Sequence, residues 1–88
     1  MNDALKDLLI EMLKKHYIGA KHIPEDRLII RRLKCMNKQF QKEFYSEYND
    51  CINKEFFIRL KKRTGKGSDY HISLNPEMIE EINDLVEV

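Results

Sequence analysis

The chain has 88 residues, 42% of them apolar, and a net charge of +1, which makes it a single domain (residues 1–88) with a small core, because a chain this short buries only ~60–65% of its unfolded surface. Its longest apolar runs, among them Leu28, Ile29 and Ile30, fall far short of the ~20 residues of a membrane span, so no membrane association is expected. Asp3, Asp7 and Glu11 break up the first residues in a way a signal peptide does not, and a soluble, cytoplasmic protein is expected.

In chain order, Leu5, Leu8, Leu9, Met12 and Leu13 recur at three- and four-residue spacing, which predicts an amphipathic helix over 3–16. Asn2 or Asp3 suits its start and Gly19 its C-cap. Pro24, followed by Glu25 and Asp26, fits the first turn of a short second helix over about 24–34. Ile23, Leu28, Ile29, Ile30 and Leu33 are expected on its buried side, and Arg27, Arg31, Arg32 and Lys34 toward solvent. Asn37 caps a third helix over roughly 38–54, in which Phe40, Phe44, Tyr48, Cys51 and Ile52 keep helical spacing. These residues read as core rather than as a stacking platform, with Tyr45 at the edge of the stripe. Opposite them lie Gln39, Lys42, Ser46, Asn49 and Asn53, with Lys38 at the margin.

After Phe56 the apolar period changes to two, which predicts a β-hairpin around Gly65 and Gly67. Ile58 and Leu60 on the first strand, and Tyr70, Ile72 and Leu74 on the second, are expected to face the core. Asn75 and Pro76 then open an acidic helix with Met78, Ile79, Ile82, Leu85 and Val86 on its apolar stripe.

Charge is divided into blocks: residues 27–42 hold six cations and no acid, 58–71 hold five cations and one acid, and 72–88 hold five acids and no cation. Such sign asymmetry predicts one positive face on a near-neutral chain. Cys35 and Cys51 are sixteen positions apart, and His16, His22 and His71 match no zinc-ligand spacing. Free thiols, no metal and no cofactor are expected.

Helix, short helix, longer helix, β-hairpin, helix is the element order of a winged helix-turn-helix domain, an α+β fold of mostly helical content. The stretches "IGAKHIPEDRLIIR" at 18–31, "NKQFQKEFYSEYNDCINKEFFI" at 37–58 and "HISLNPEMIEEI" at 71–82 resemble those of small archaeal winged-helix proteins. The resemblance implies that fold and nucleic-acid binding. It departs from the pattern at Glu55, where such proteins often carry glycine between the third helix and the wing.

A helix fits the major groove, where side-chain amides read base edges while nearby cations meet phosphates. Gln39 and Asn49 are therefore candidates for base contact, Lys42 for guanine or phosphate, and Ser46 for the same outer face. Arg31, Arg32, Asn37 and Lys38 are candidates for the backbone, and Lys61, Lys62, Arg63 and Lys66 for a basic wing. The sequence thus predicts a double-stranded DNA-binding transcription regulator, with a homodimer through the first and last helices if its sites are palindromic. A protein-protein interaction module, or an RNA- or ribosome-associated winged helix, is the alternative. No small-molecule ligand and no catalysis are expected, because the titratable residues are scattered and "TGKG" at 64–67 lacks phosphate-loop spacing.

Overall fold

A computed structural model describes residues 1–64 and 67–87. Their order is α1 (Asp3–Lys14), β1 (Ile23–Pro24), α2 (Glu25–Leu33), α3 (Lys38–Asn53), β2 (Phe57–Thr64), β3 (Gly67–Leu74), a 3-10 turn (Pro76–Met78) and α4 (Ile79–Val86). It is a small α+β architecture of four helices and a three-stranded antiparallel sheet, ordered β1-β3-β2. None of the described helices is long and apolar enough to cross a membrane.

Helix α1 lies at the centre, against α2, α3, α4 and β3. Leu5, Leu8, Leu9 and Met12 are all but fully buried, so these residues of the stripe serve as core within the chain. Asn2 caps the helix, accepting from the N–H groups of Ala4 at 2.9 Å and Leu5 at 3.3 Å. Its own N–H donates to the Glu47 carboxylate of α3 at 3.0 and 3.1 Å, which fixes the start of α1 on α3.

Two helix ends differ from expectation in an instructive way. Helix α1 stops at Lys14 rather than at 16, and the left-handed residue that ends it is His16 (φ 57°), not Gly19. The N–H groups of His16 and Tyr17 return to the carbonyls of Leu13 and Met12, closing a Schellman motif. Gly19 instead joins this connection to the sheet. Its N–H donates to the Leu74 carbonyl at 3.0 Å, and a Cβ there would stand 3.3 Å from Pro76 Cγ. Helix α3 ends in the same motif as α1, with Glu55 (φ 63°) left-handed and the Glu55 and Phe56 N–H groups bonded to Ile52 and Cys51. The position that lacks the expected glycine therefore does adopt the conformation glycine favours.

Pro24 belongs to β1 rather than to the first turn of α2, pairing with His71 while Ile23 pairs with Ile72. A proline is tolerated there because β1 is an edge strand. Ile30, expected in the core, is 61% exposed. At 100° per residue the three successive apolar residues of α2 cannot all face inward. The buried arc takes Leu28, Ile29 and Leu33, together with Glu25.

The inward face of β2 is displaced by one residue from the expected alternation. Phe57 is buried opposite Leu74, and Arg59 stands opposite Ile72, whereas Ile58 and Leu60 share the other face with Ser73 and His71. Leu60 and Tyr70 are exposed, so neither is the core residue its spacing predicted. The core that remains joins α1, α2 and α3 to Ile23, Phe56, Phe57, Ile72, Leu74 and Ile82.

Candidate nucleic-acid interface

The α2–α3 connection is fixed by side-chain hydrogen bonds at both ends. Asn37 Oδ1 accepts from the Phe40 N–H at 2.8 Å, so its carbonyl is used as the cap of α3. Gln41 Nε2 donates to the carbonyls of Leu33 at 3.1 Å and Met36 at 2.9 Å, tying the end of α2 to the first turns of α3. Phe44, Tyr48 and Cys51 are buried below, and Phe44 stacks on Tyr48 with ring centroids 5.6 Å apart. Burial pushes the Cys51 thiol above its ordinary value, and Cys35 is free and exposed.

The outer surface of α3 is thereby held in place. Lys38, Gln39, Lys42, Ser46 and Asn49 are all exposed on it. Glu43 and Asp50 are exposed there too, and Gln39 Nε2 donates to Glu43 at 3.4 Å. Helical geometry sorts these residues into two flanks. Lys38, Lys42 and Asn49 lie on the flank of Tyr45, which lines a hollow with Ile30 of α2 and its C-cap residue Lys34. Glu43 and Asp50 lie toward Glu47 and the start of α1. The same wheel that located the core stripe contained this acidic flank.

The second-helix cations divide as well. Arg31 is exposed, 3.6 Å from Glu11. Arg32 is turned inward, donating to Glu11 Oε1 at 2.8 Å and to the Leu28 carbonyl at 3.0 Å, so its guanidinium joins α2 to α1. Burial alone would raise the Glu11 pKa, but the Arg32 hydrogen bond and the charges of Arg32, Lys15 and Arg31 outweigh it and lower it.

In the hairpin, Lys61, Lys62 and Arg63 are exposed, whereas Lys66 lies outside the described residues. Lys61 and Arg63 share the face of Arg59; Lys62 lies on the other face, opposite Asp69. Arg59 is internal in function. It donates to Glu25 Oε1 at 2.9 Å and lies over the Tyr70 ring at 3.9 Å, while Tyr48 donates to Glu25 Oε2 at 2.7 Å. Burial and then the Glu25 hydrogen bond drive the Tyr48 hydroxyl pKa far upward. Sequence reasoning assigns Glu25 to the helix dipole and misses this network, because its members are 23 and 34 residues apart.

His22 and His71 approach with Nδ1 atoms 2.9 Å apart. One ring must donate and the other accept. Partial burial, then the charge of Lys62 and the neighbouring His71, lowers the His22 pKa. Among the described residues no three His, Cys, Asp or Glu side chains gather as metal ligands would.

Comparison with protein-family models, with curated proteins and with solved structures found no match.

Proposed function

We propose that the chain is a winged helix-turn-helix domain that binds double-stranded DNA, acting as a small transcription regulator. In this reading α2 and α3 form the helix-turn-helix and β2–β3 the wing. The observation that carries it is the division of α3: one side is locked in the core and the other leaves Lys38, Lys42, Ser46 and Asn49 exposed, beside the cations of α2. A polyanion is favoured on the Lys38–Lys42 flank, because Glu43 and Asp50 repel phosphate on the other. The exposed Lys61, Lys62 and Arg63 supply phosphate contacts from the hairpin.

Fluorescence anisotropy with random duplex DNA, single-stranded DNA and structured RNA, each titrated with salt, tests the reading. Duplex should bind best, with a log-log salt slope of about −0.9 per phosphate neutralised. Lys62→Ala and Arg63→Ala should each flatten the slope by about one unit. A preference for structured RNA would move the same face to an RNA-binding role.

The exposed Ile30, set among the α2 cations, favours a second reading, in which this basic face docks an acidic protein. Absence of binding to all three nucleic acids at low salt would select it.

A further inference from the structure

Two exposed apolar residues stand in opposite fields. Ile30 of α2, 61% exposed, sits in a shallow groove walled by Asp26, Arg27, Arg31 and Lys34, three cations to one acid. A β-branched residue on the outside of a nine-residue helix favours neither helix propensity nor burial. Leu85 of α4 is 43% exposed, with Glu81 one turn before it and Asp84 adjacent, both exposed. The hollow beside Leu85 balances Glu47 and Asp50 against Lys54 and the N-terminal ammonium of Met1, so Glu81 and Asp84 set the sign of the surroundings.

We propose that the α2 groove receives α4 of a second copy of this chain, with Leu85 on Ile30 and the two helices antiparallel. The register follows from spacing. Lys34 is four residues after Ile30 and Glu81 four before Leu85, so both lie ~6 Å along their axes from the apolar contact. An antiparallel arrangement brings them together, places Asp84 near the α2 cations and opposes the helix dipoles favourably. Charge complementarity selects this occupant: residues 72–88 hold five acids and no cation, and the groove is basic.

The contact is heterologous, since each copy carries one basic groove and one acidic helix. Two such short helices bury less than the ~1,200 Å² of a stable interface. The association is therefore weak and weakened by salt. The proposal does not rest on nucleic-acid binding, but a helix seated there covers the α2 cations, so the two would compete.

Sedimentation velocity of the full chain, from about 10 µM to about 1 mM at low salt, tests it. The weight-average mass should rise from the 10.6 kDa of one chain toward twice that value or more, and fall back at high salt. Paired reversals give the decisive experiment: Arg27→Glu with Lys34→Glu on α2, and Glu81→Lys with Asp84→Lys on α4. Arg27, Lys34, Glu81 and Asp84 are all exposed, and circular dichroism checks that each variant folds. Each reversed chain alone should remain monomeric, and an equimolar mixture should recover association, because the unaltered groove of one variant meets the unaltered helix of the other. A wild-type chain monomeric at all concentrations overturns the proposal, as does a mixture that fails to recover. Binding of an unrelated acidic helical peptide to the Ile30 groove, with no self-association, would also overturn the second copy as occupant.

Discussion

The base and the outer half of the β2–β3 hairpin use the same kind of residue for opposite ends. At the base, Arg59 is clamped between the Glu25 carboxylate and the Tyr70 ring, on the same strand face as buried Phe57. Farther out, Lys61, Lys62 and Arg63 project into solvent. What separates them is a carboxylate supplied by another element. The same distinction holds in α2, where Arg32 meets Glu11 and faces inward while Arg27 is exposed. A block of cations in a sequence is therefore two populations, one structural and one free to meet a partner.

The largest effect expected from this difference is at Glu25. Glu25→Ala removes the acceptor of both Tyr48 and Arg59 and should cost about 2 kcal/mol, chiefly because the buried Tyr48 hydroxyl loses its acceptor, while the solvent-screened pair with the exposed Arg59 adds less. Lys61→Ala, on the same strand face as Arg59 but without such a carboxylate, should stay within about 0.5 kcal/mol of wild type. Urea denaturation of the two variants measures the contrast directly. Equal losses would mean that the base is no more locked than the outer half.

A smaller effect of opposite sign is expected where the hairpin is launched. Glu55 holds φ 63°, a conformation that disfavours any side chain. Its backbone, not its carboxylate, carries the contacts: the carbonyl accepts from Asn75 Nδ2 at 2.9 Å. Glu55→Gly keeps these bonds and relieves the strain, against a larger loss of chain entropy. A net gain of about 0.5–1 kcal/mol in the same urea titration is expected. A loss would show that the Glu55 side chain, rather than the turn, positions β2.

Glu55 also shows how much of the fold is legible in the sequence. The absent glycine marks a special turn without revealing its conformation, which depends on the carbonyls of Ile52 and Cys51 being free to receive the next N–H groups. All four helices follow from apolar spacing and caps, within two or three residues at their ends, because these are local signals. Strand β1 does not, since two residues carry no period. The inward face of β2 is misleading because Phe56, Phe57, Ile58 and Leu60 put apolar residues on both parities. Only Glu25, far away in sequence, makes it favourable for Arg59 to share the face of Phe57. The exposure of Ile30 is legible in principle, since helical geometry forbids three consecutive inward residues. The exposed residues of α3 are legible for the same reason, but the inward turn of Arg32 requires Glu11 from another helix.

The smallest expected effect tests whether the two halves of the hairpin are separate at all. Lys62 belongs to the outer half, yet its charge acts on His22, which is hydrogen-bonded to His71 on the face opposite Phe57. In the neutral pair one Nδ1–H lies between the two rings. Protonation of His22 is opposed by partial burial first, then by the charge of Lys62 and by His71. Because the folded-state pKa of His22 lies below its ordinary value of 6.5, the unfolded chain takes up the proton first as pH falls. Stability from this pair is thus present above about pH 6.5 and lost as pH falls through the lower folded-state value. The melting temperature should decline between about pH 7.5 and about pH 5.5. His22→Asn should remove that part of the decline, and Lys62→Ala should reduce it, by letting His22 protonate more readily in the fold. If Lys62→Ala leaves the pH profile unchanged, the outer half acts on solvent and partners alone. If it flattens the profile, a cation free to meet a phosphate also tunes the fold beneath it, and occupation of Lys62 by a polyanion should make His22 easier to protonate.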